Sequence, residues 1–191
     1  MEKDKIISGC RVLIIGGSAG SLEVLLKILP QLASVTFSLV IVLHRKSAED
    51  NTLEELIAAK TAVPVTEVED KTPMLAGSIY IAPSDYHLLF ENDDTLSLDT
   101  SEKVNYSRPS IDVSFESAAE VYGPSLCAVL LSGANADGTA GLIAVKNAGG
   151  TVIIQDPETA EMPFMPNNAI ENITPDHILN IEEIGELIKA F

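Results

Sequence analysis

Residues 11–30, RVLIIGGSAGSLEVLLKILP, constrain the fold more than any other stretch of the sequence. Residues 12–15 are an apolar, largely β-branched run, which is typical of a strand buried on both faces of a parallel sheet. Two glycines follow, and from Leu22 onward the apolar residues recur at helical spacing. The stretch therefore predicts a strand, a tight turn and a helix. It places Ser18 at the carboxyl end of the strand, where open α/β sheets bind ligands.

The same alternation of buried strands and amphipathic helices continues along the chain. Further strands are predicted at residues 36–43, 63–68, 77–82, 125–131, 151–155 and 178–181. Helices are predicted at residues 52–60, 109–122, 139–148 and 167–171, with a last helix ending at Phe191. Because parallel strands need crossover helices, this order predicts an α/β fold with a doubly wound, mainly parallel sheet and helices on both faces. Strand-like runs at 87–91 and 95–99, joined by turn-forming residues, predict an appended antiparallel hairpin.

The composition of the chain argues against nucleic acids and membranes as binding partners. A chain of 191 residues predicts one domain, spanning residues 1–191. The net charge of −16, the absence of tryptophan and the aromatic content of 5% argue against a nucleic-acid surface, because a chain this acidic repels phosphate backbones. No apolar run approaches the ~18 residues that a membrane span needs. We therefore expect no direct membrane insertion and predict a cytoplasmic location.

Cysteine and histidine usage gives no reason to expect a metal or an organic cofactor. Cys10 and Cys127 are isolated and lack C-x-x-C spacing, which favours buried free thiols over a disulfide or a metal site. The chain has three histidines, which lends structural zinc almost no support.

Three chemically complementary residues follow three of the predicted buried strands. Ser18, His44 and Asp137 each come directly after a strand or in the turn that follows it. Because the carboxyl ends of parallel strands share one edge of a sheet, these side chains are expected to meet there. A serine hydroxyl needs a neighbouring imidazole to take its proton, and the imidazole needs a carboxylate to orient it. Backbone N–H groups at the glycine turns are suited to form an oxyanion hole.

Each of the three residues also has an ordinary structural explanation. Serine is a favoured N-cap, so Ser18 alone fits the start of the following helix. His44 alone fits a structural or surface histidine, and Asp137 followed by glycine fits a turn or a helix cap. The remaining histidines, His87 and His177, are assigned structural roles.

Two other kinds of site fit the sequence less well. A dinucleotide site with the pattern G-x-G-x-x-G would need glycine at position 15, which is Ile15, and only Gly17 and Gly20 match. That fold also expects an acidic residue after the second strand, where this chain has His44. The turn at Ser18 is not a G-x-S-x-G elbow, and the chain order is not serine, acid, histidine, which disfavours an ordinary α/β-hydrolase.

Six segments in order resemble the catalytic domain of the CheB-type chemotaxis protein-glutamate methylesterases. The resemblance runs from about Arg11 to the last helix. It rests on GGSAGS around Ser18, the strand ending in His44, GSIYIAPSDYHL from Gly77, NYSRPSIDVSF from Asn105, LSGANADGTAG around Asp137 and MPNNAI from Met165.

The resemblance implies a serine esterase. It implies that Ser18 is the nucleophile, His44 the general acid/base and Asp137 its orienting carboxylate, with the backbone N–H groups of Ala19 and Ala134 as the oxyanion hole. The implied reaction is hydrolysis of γ-glutamyl methyl esters on methyl-accepting chemoreceptors with release of methanol, sometimes with deamidation of receptor glutamines. The implied partner is the cytoplasmic domain of such a receptor, and no cofactor is implied.

The sequence departs from the family pattern near the site. Ala19 stands where the family usually has threonine, and Ser21 where it usually has glycine. Asn135 replaces a glycine before the acid, which is expected to alter the turn, although asparagine tolerates left-handed φ better than most residues.

Family members often carry a phospho-receiver domain ahead of this one. The chain begins ten residues before its first predicted strand, and the expectation is therefore a stand-alone or an excised catalytic domain. Arg45, Lys46, Lys103 and Arg108 are predicted to form a basic rim that offsets the acidic surface near the substrate.

Two alternative functions stay open on the sequence. One is a non-catalytic or weakly catalytic binding module that retains the fold. The other is a serine hydrolase for a different ester or amide.

Overall fold

The computed structural model describes residues 9–45 and 52–191. Ten strands lie in the described residues. They are β1 (Val12–Gly17), β2 (Ser38–Leu43), β3 (Val65–Glu67), β4 (Thr72–Pro73), β5 (Ile79–Ile81), β6 (His87–Phe90), β7 (Thr95–Asp99), β8 (Leu126–Leu130), β9 (Thr151–Gln155) and β10 (His177–Leu179).

Seven of the strands form one sheet in the order β10-β9-β8-β1-β2-β5-β3. Every neighbouring pair in that order is parallel. The three central strands β8, β1 and β2 are buried along their whole length, as their unbroken apolar sequences require. The predicted doubly wound, mainly parallel α/β fold is confirmed.

The predicted hairpin is also confirmed, as part of a second, smaller sheet. Strands β6 and β7 pair antiparallel, and β4 pairs with the other edge of β7. The sequence analysis missed β4. It is two residues long and ends in proline, so neither apolar alternation nor length distinguishes it from a loop.

Helices cover both faces of the large sheet. Those in the described residues are α1 (Ser21–Ile28), α2 (Thr52–Ala58), α3 (Ile111–Tyr122), α4 (Thr139–Asn147), α5 (Phe164–Asn172) and α6 (Ile181–Ala190). Alternate residues of β1 point to opposite faces. Val12 and Ile14 pack with α3, α4, α5 and the small sheet, whereas Leu13 and Ile15 pack with α1, α2 and α6. None of the described helices has the length and apolarity to span a bilayer.

Several element ends differ from the prediction. Strands predicted at 63–68 and 77–82 shorten to β3 and β5, and the short helix predicted at 167–171 extends to Phe164–Asn172. Helix α3 begins at Ile111 and not at Pro109, because the Ser110 hydroxyl accepts a hydrogen bond from the Val113 N–H and so caps the helix.

The two cysteines differ in burial. Both are free thiols, as predicted, and Cys127 is buried within β8. Cys10 is only half-buried, since it precedes β1 at the margin of the sheet.

The order of the central strands determines where the loops meet. Strand β1 lies between β2 on one side and β8 on the other. All three run in the same direction, so the segments that follow Gly17, Leu43 and Leu130 leave the sheet side by side at its carboxyl edge. In open parallel sheets, ligand sites form where two neighbouring strands are connected in opposite directions along the sheet, and here β2 and β8 lie on opposite sides of β1.

Candidate active site

Ser18 directly follows β1 and is half-buried. Its N–H group donates to the Ser132 carbonyl at 2.9 Å and lies 3.1 Å from the Ser21 hydroxyl oxygen. Helix α1 starts at Ser21, and its N-cap is Gly20, with φ of 83° and no side-chain cap. The N-cap interpretation of Ser18 is therefore wrong.

The Ser18 turn is tied to the loop after β8. The Ser21 hydroxyl donates to the Ser132 carbonyl at 2.6 Å, and the Ser132 hydroxyl donates to the Ala19 carbonyl at 2.7 Å. A β-carbon at Gly17 would lie 2.1 Å from the Ser21 hydroxyl oxygen, so this packing requires glycine there. Ser21, which departs from the family pattern, thus acts as a bridge between the two loops.

His44 is the neighbour of Ser18 on the adjacent strand. Gly17 and Leu43 are paired in the β1–β2 register, and the His44 N–H donates to the Gly17 carbonyl at 3.0 Å. The imidazole Nε2 lies 2.6 Å from Asp137 Oδ2. No hydrogen bond joins the Ser18 hydroxyl to His44 within the described residues. Catalytic hydrogen bonds often form only when substrate is present.

Asp137 is fully buried and meets the amino end of α3. Its carboxylate accepts hydrogen bonds from the Ile111 N–H at 2.6 Å, the Asp112 N–H at 3.0 Å and the Ser110 hydroxyl at 2.9 Å. The side-chain amide of Asn105 adds another at 3.0 Å. The unsatisfied N–H groups and the dipole of a helix N-terminus both favour a negative charge.

These contacts keep Asp137 ionised. Burial acts to raise its pKa, but the hydrogen bonds from His44 and from the N–H groups of Asp112 and Ile111 outweigh burial and lower the pKa to about 2. Asp137 and Gly138 form the turn before helix α4, as one of the structural interpretations predicts, and Gly138, with φ of 99°, rather than Asp137 is the N-cap. A carboxylate that stays charged is suited to orient an imidazole and to stabilise its protonated form.

A second carboxylate, Asp112, lies beside the first. It accepts hydrogen bonds from the N–H groups of Gly138 at 2.9 Å and Gly141 at 2.7 Å. The Asn105 amide nitrogen donates to it at 2.8 Å as well as to Asp137, and so bridges the two acids. Burial, reinforced by the charge of Asp137, raises the pKa of Asp112 to about 6.

Sequence reasoning missed the contributions of Asn105, Ser110 and Asp112 to this site. Their segment was recognised only as part of the family resemblance and as the start of a helix. The available signal was an acidic residue in the first turn of α3, close to a serine cap and on the apolar side of the helix. Such a residue is more often solvent-exposed, so its burial against a second acid was not apparent.

The proposed oxyanion donors lie on the two loops that Ser132 joins. Ala19 and Ala134 are both exposed, and within the described residues neither of their N–H groups donates a hydrogen bond. Asn135 does not adopt left-handed φ. Its side-chain oxygen accepts from the Asp137 N–H at 3.1 Å. The glycine-to-asparagine difference at position 135 therefore does not force this residue into a left-handed backbone conformation.

A cavity of about 470 Å³ opens beside His44. Its lining includes Arg45, Lys103 and Arg108, so the structure brings three of the predicted rim residues together. Arg45 is already paired with Glu67, at 2.5 Å between Nη2 and Oε2. Lys46 lies outside the described residues.

The other cations of the rim differ in their surroundings. Arg108 donates to the carbonyls of Thr100 and Ser101 and has no carboxylate partner in the described part of the chain. Lys103 is exposed and has no ion-pair partner there either. Lys103 and Arg108 are therefore cations without an ion-pair partner in the described residues, and the acidic Asp85 also lines the cavity.

The other two histidines have different surroundings from His44. His87 is buried, accepts from the Ser110 N–H at 3.1 Å and donates to the Glu102 carbonyl at 2.8 Å, which braces the loop ahead of α3. His177 starts β10. In residues 9–45 and 52–191, no group of three or more histidine, cysteine or acidic side chains is arranged to hold a metal ion.

Comparison with known proteins assigns the family. The model of the CheB methylesterase family matches residues 13–188. The chain belongs to the CheB methylesterase family. A family member from Leptospira interrogans is 43% identical over 176 residues, which cover 92% of this chain and 91% of the relative.

The solved structure of a family member has the same fold. The crystal structure of the Thermotoga maritima CheB methylesterase catalytic domain superimposes with a TM-score of 0.90 and 35% identity, covering 95% of this chain and 99% of that one. The Thermotoga maritima protein named protein-glutamate methylesterase/protein-glutamine glutaminase is 35% identical over 184 residues. The match covers 94% of this chain but 53% of that relative, so the chain spans about half of its length.

Proposed function

We propose that this protein is a serine esterase that hydrolyses glutamate γ-methyl esters on methyl-accepting chemoreceptors and releases methanol. The observation that carries the proposal is the hydrogen bond between His44 and the buried, ionised Asp137, beside Ser18 at the carboxyl edge of the sheet. The names of the relatives support the same substrate class.

The first half of the reaction forms an acyl-enzyme. The Ser18 hydroxyl oxygen attacks the ester carbonyl carbon while His44 takes the hydroxyl proton. The N–H groups of Ala19 and Ala134 stabilise the negative charge on the former carbonyl oxygen. When the tetrahedral intermediate collapses, the bond to the methoxy group breaks and His44 returns the proton, so that methanol leaves.

The second half regenerates the serine. His44 takes a proton from water as the water oxygen attacks the acyl carbon, and then returns that proton to the Ser18 oxygen as glutamate leaves. A glutamine side chain gives the same acyl-enzyme with ammonia as the leaving group, which accounts for the second activity in the relatives' names. Each step uses groups of this chain and water.

In the proposed mechanism, each ring nitrogen of His44 has a different role. The Asp137 carboxylate is hydrogen-bonded to Nε2. Nδ1 is therefore the nitrogen that is free to exchange a proton with Ser18. The Asp137 carboxylate fixes this tautomer by accepting the Nε2 proton.

The proposed partner is the cytoplasmic domain of a chemoreceptor, which gives the protein a cytoplasmic location. Lys103 and Arg108 beside the cavity are proposed to attract the acidic side chains around the methylated glutamate, whereas Arg45 is engaged by Glu67. We also propose that residues 1–191 act as one catalytic domain, because β1, β2, α3 and the loop after β8 all contribute to the site.

Methanol release from methylated chemoreceptor membranes tests this function. The intact protein is expected to release methanol, and the Ser18→Ala variant is expected to release none above background. An authentic methylesterase serves as the control that the receptor is methylated. No release by the intact protein would refute the esterase proposal. Receptor binding without release would then favour a binding module, and hydrolysis of other esters alone would favour a different substrate.

A further inference from the structure

The turn at residues 104–107 has an unusual backbone. Val104 and Ser107 pair antiparallel, with N–H to carbonyl distances of 3.1 and 3.0 Å in the two directions. The central residues Asn105 and Tyr106 have φ of 51° and 63°. Two consecutive left-handed residues are what a type I′ turn requires, and glycine is the favoured residue at the second position. Tyrosine there is strained, because its β-carbon crowds the following carbonyl.

The turn is fixed relative to the catalytic groups. Asn105, its first central residue, donates hydrogen bonds to both Asp112 and Asp137. Asp137 in turn holds His44. The position of Tyr106 is therefore coupled to that of the imidazole through two side chains, those of Asn105 and Asp137.

Tyr106 contributes nothing visible to the stability of the fold. Its side chain is 98% exposed, and its hydroxyl forms no hydrogen bond within the described residues. It does line the cavity of about 470 Å³ that also contains His44, Lys103 and Arg108. A strained residue that the fold does not need, in the lining of a cavity next to His44, points to a role in binding.

We propose that Tyr106 is a specificity-determining residue that contacts the polypeptide carrying the ester. This inference rests on the proposed function. The ring packs on the aliphatic parts of side chains that flank the methylated glutamate, while Lys103 and Arg108 face the carboxylates of the same acidic segment. Tyrosine suits this role, since it offers a large amphipathic surface and loses little conformational freedom on binding.

The experiment compares a protein substrate with a small one. The kcat/KM of the intact protein and of Tyr106→Ala is measured on a methylated receptor fragment and on N-acetylglutamate γ-methyl ester. The loss in Tyr106→Ala is expected to be about tenfold greater on the fragment than on the small ester. Equal losses on both substrates, or no loss on the fragment, would overturn the proposal.

Two further variants separate binding from folding. Tyr106→Gly relieves the left-handed strain, so its Tm is expected to rise by about 2–4 °C while its turnover of the fragment falls. A lower Tm for Tyr106→Gly would show that the ring supports the fold and would overturn the proposal. Leu75→Ala is the matched control, because Leu75 is 64% exposed and lies beside the amino ends of β1 and β2, at the opposite edge of the sheet.

A binding measurement distinguishes failure of this inference from failure of the proposed function. The fragment is titrated with Ser18→Ala and with the Ser18→Ala/Tyr106→Ala double variant. About tenfold weaker binding by the double variant supports the role of Tyr106 even if the intact protein hydrolyses no ester. Equal binding by the two variants overturns it.

Discussion

His44 and Asp137 are joined by a 2.6 Å hydrogen bond although 93 residues separate them in the chain. His44 follows β2 and Asp137 lies in the loop after β8, so the bond passes over the end of β1, where Ser18 begins its turn. The side chain of Asp137 is fully buried and that of His44 is 11% exposed. The imidazole is thus oriented by a carboxylate that α3 itself holds in place.

If the proposed mechanism holds, replacing Asp137 by asparagine should remove most of the activity while Ser18 stays in place. The asparagine amide can donate to His44 Nε2, which moves the ring proton to Nδ1, the nitrogen proposed to accept the Ser18 proton. We expect kcat to fall by about 10³–10⁴ in Asp137→Asn. Steady-state methanol release measures this, and urea unfolding of the same variant checks that it folds. A kcat within tenfold of the intact protein would contradict the role of Asp137.

The bridging amide of Asn105 should support both buried acids. Asn105→Gly keeps a residue that tolerates φ of 51° and deletes the two hydrogen bonds to Asp112 and Asp137. Because hydrogen bonds to charged groups are involved, we expect the free energy of unfolding to fall by about 1.5–3 kcal/mol. Urea unfolding measures this change. The control is Asn92→Gly in an exposed turn, for which we expect a change within about 0.5 kcal/mol.

Asp112 should make the protein less stable as the pH rises. Its pKa of about 6 in the folded protein lies above the unfolded value of 3.8, so the folded state holds the proton more tightly. The stability that this provides is complete below about pH 4 and is lost as the pH rises to about 6. Asp137 has the opposite effect, because its lowered pKa of about 2 means that its contribution is lost as the pH falls below about 4.

Asp112→Asn should therefore flatten the dependence of stability on pH between about 4 and 6. Over that interval, the intact protein is expected to lose at most about 3 kcal/mol more of its free energy of unfolding than Asp112→Asn does. Urea unfolding of the intact protein and the variant at several pH values measures it. If both proteins lose stability equally between pH 4 and 6, the raised pKa of Asp112 is refuted.

The charge of Lys103 should affect the protein substrate through long-range attraction. Lys103→Glu is expected to lower kcat/KM on a methylated receptor fragment roughly three- to tenfold at low ionic strength, with a smaller effect at high salt. Lys27→Glu is the control, because Lys27 lies in the last turn of α1, which leads away from Ser18. If Lys103→Glu and Lys27→Glu lower kcat/KM on the fragment equally, the result would argue against a basic rim beside the cavity.

The sequence was sufficient to predict the central part of the fold and the edge at which the site lies. Strands β1, β2 and β8 are continuous apolar runs, and parallel strands place their carboxyl ends together, so Ser18, His44 and Asp137 could be assigned to one edge. The cap interpretations of Ser18 and Asp137 could not be dismissed at that point. They depend on which residue directly precedes the first residue of the helix, and here Gly20 and Gly138 do.

The remaining features depend on contacts between distant parts of the chain. Asp112 bonds to Gly138 across 26 residues, and Asn105 bonds to Asp137 across 32. The pairing of Arg45 with Glu67 spans 22 residues and removes one cation from the predicted rim. No pattern among neighbouring residues in the sequence indicates any of these contacts. Burial of a charged group is decided by the assembled fold.

The most direct measurement is the site at which a fluorophosphonate becomes attached to the protein. This reagent forms a covalent bond with a serine oxygen that a neighbouring base has activated. Peptide mass spectrometry is expected to find the adduct on Ser18, with labelling slowed by about 10³ or more in His44→Ala and Asp137→Asn. Labelling of a different serine, no labelling, or equal labelling of the intact protein and these variants would contradict the assignment of Ser18 as a nucleophile activated by His44 and Asp137.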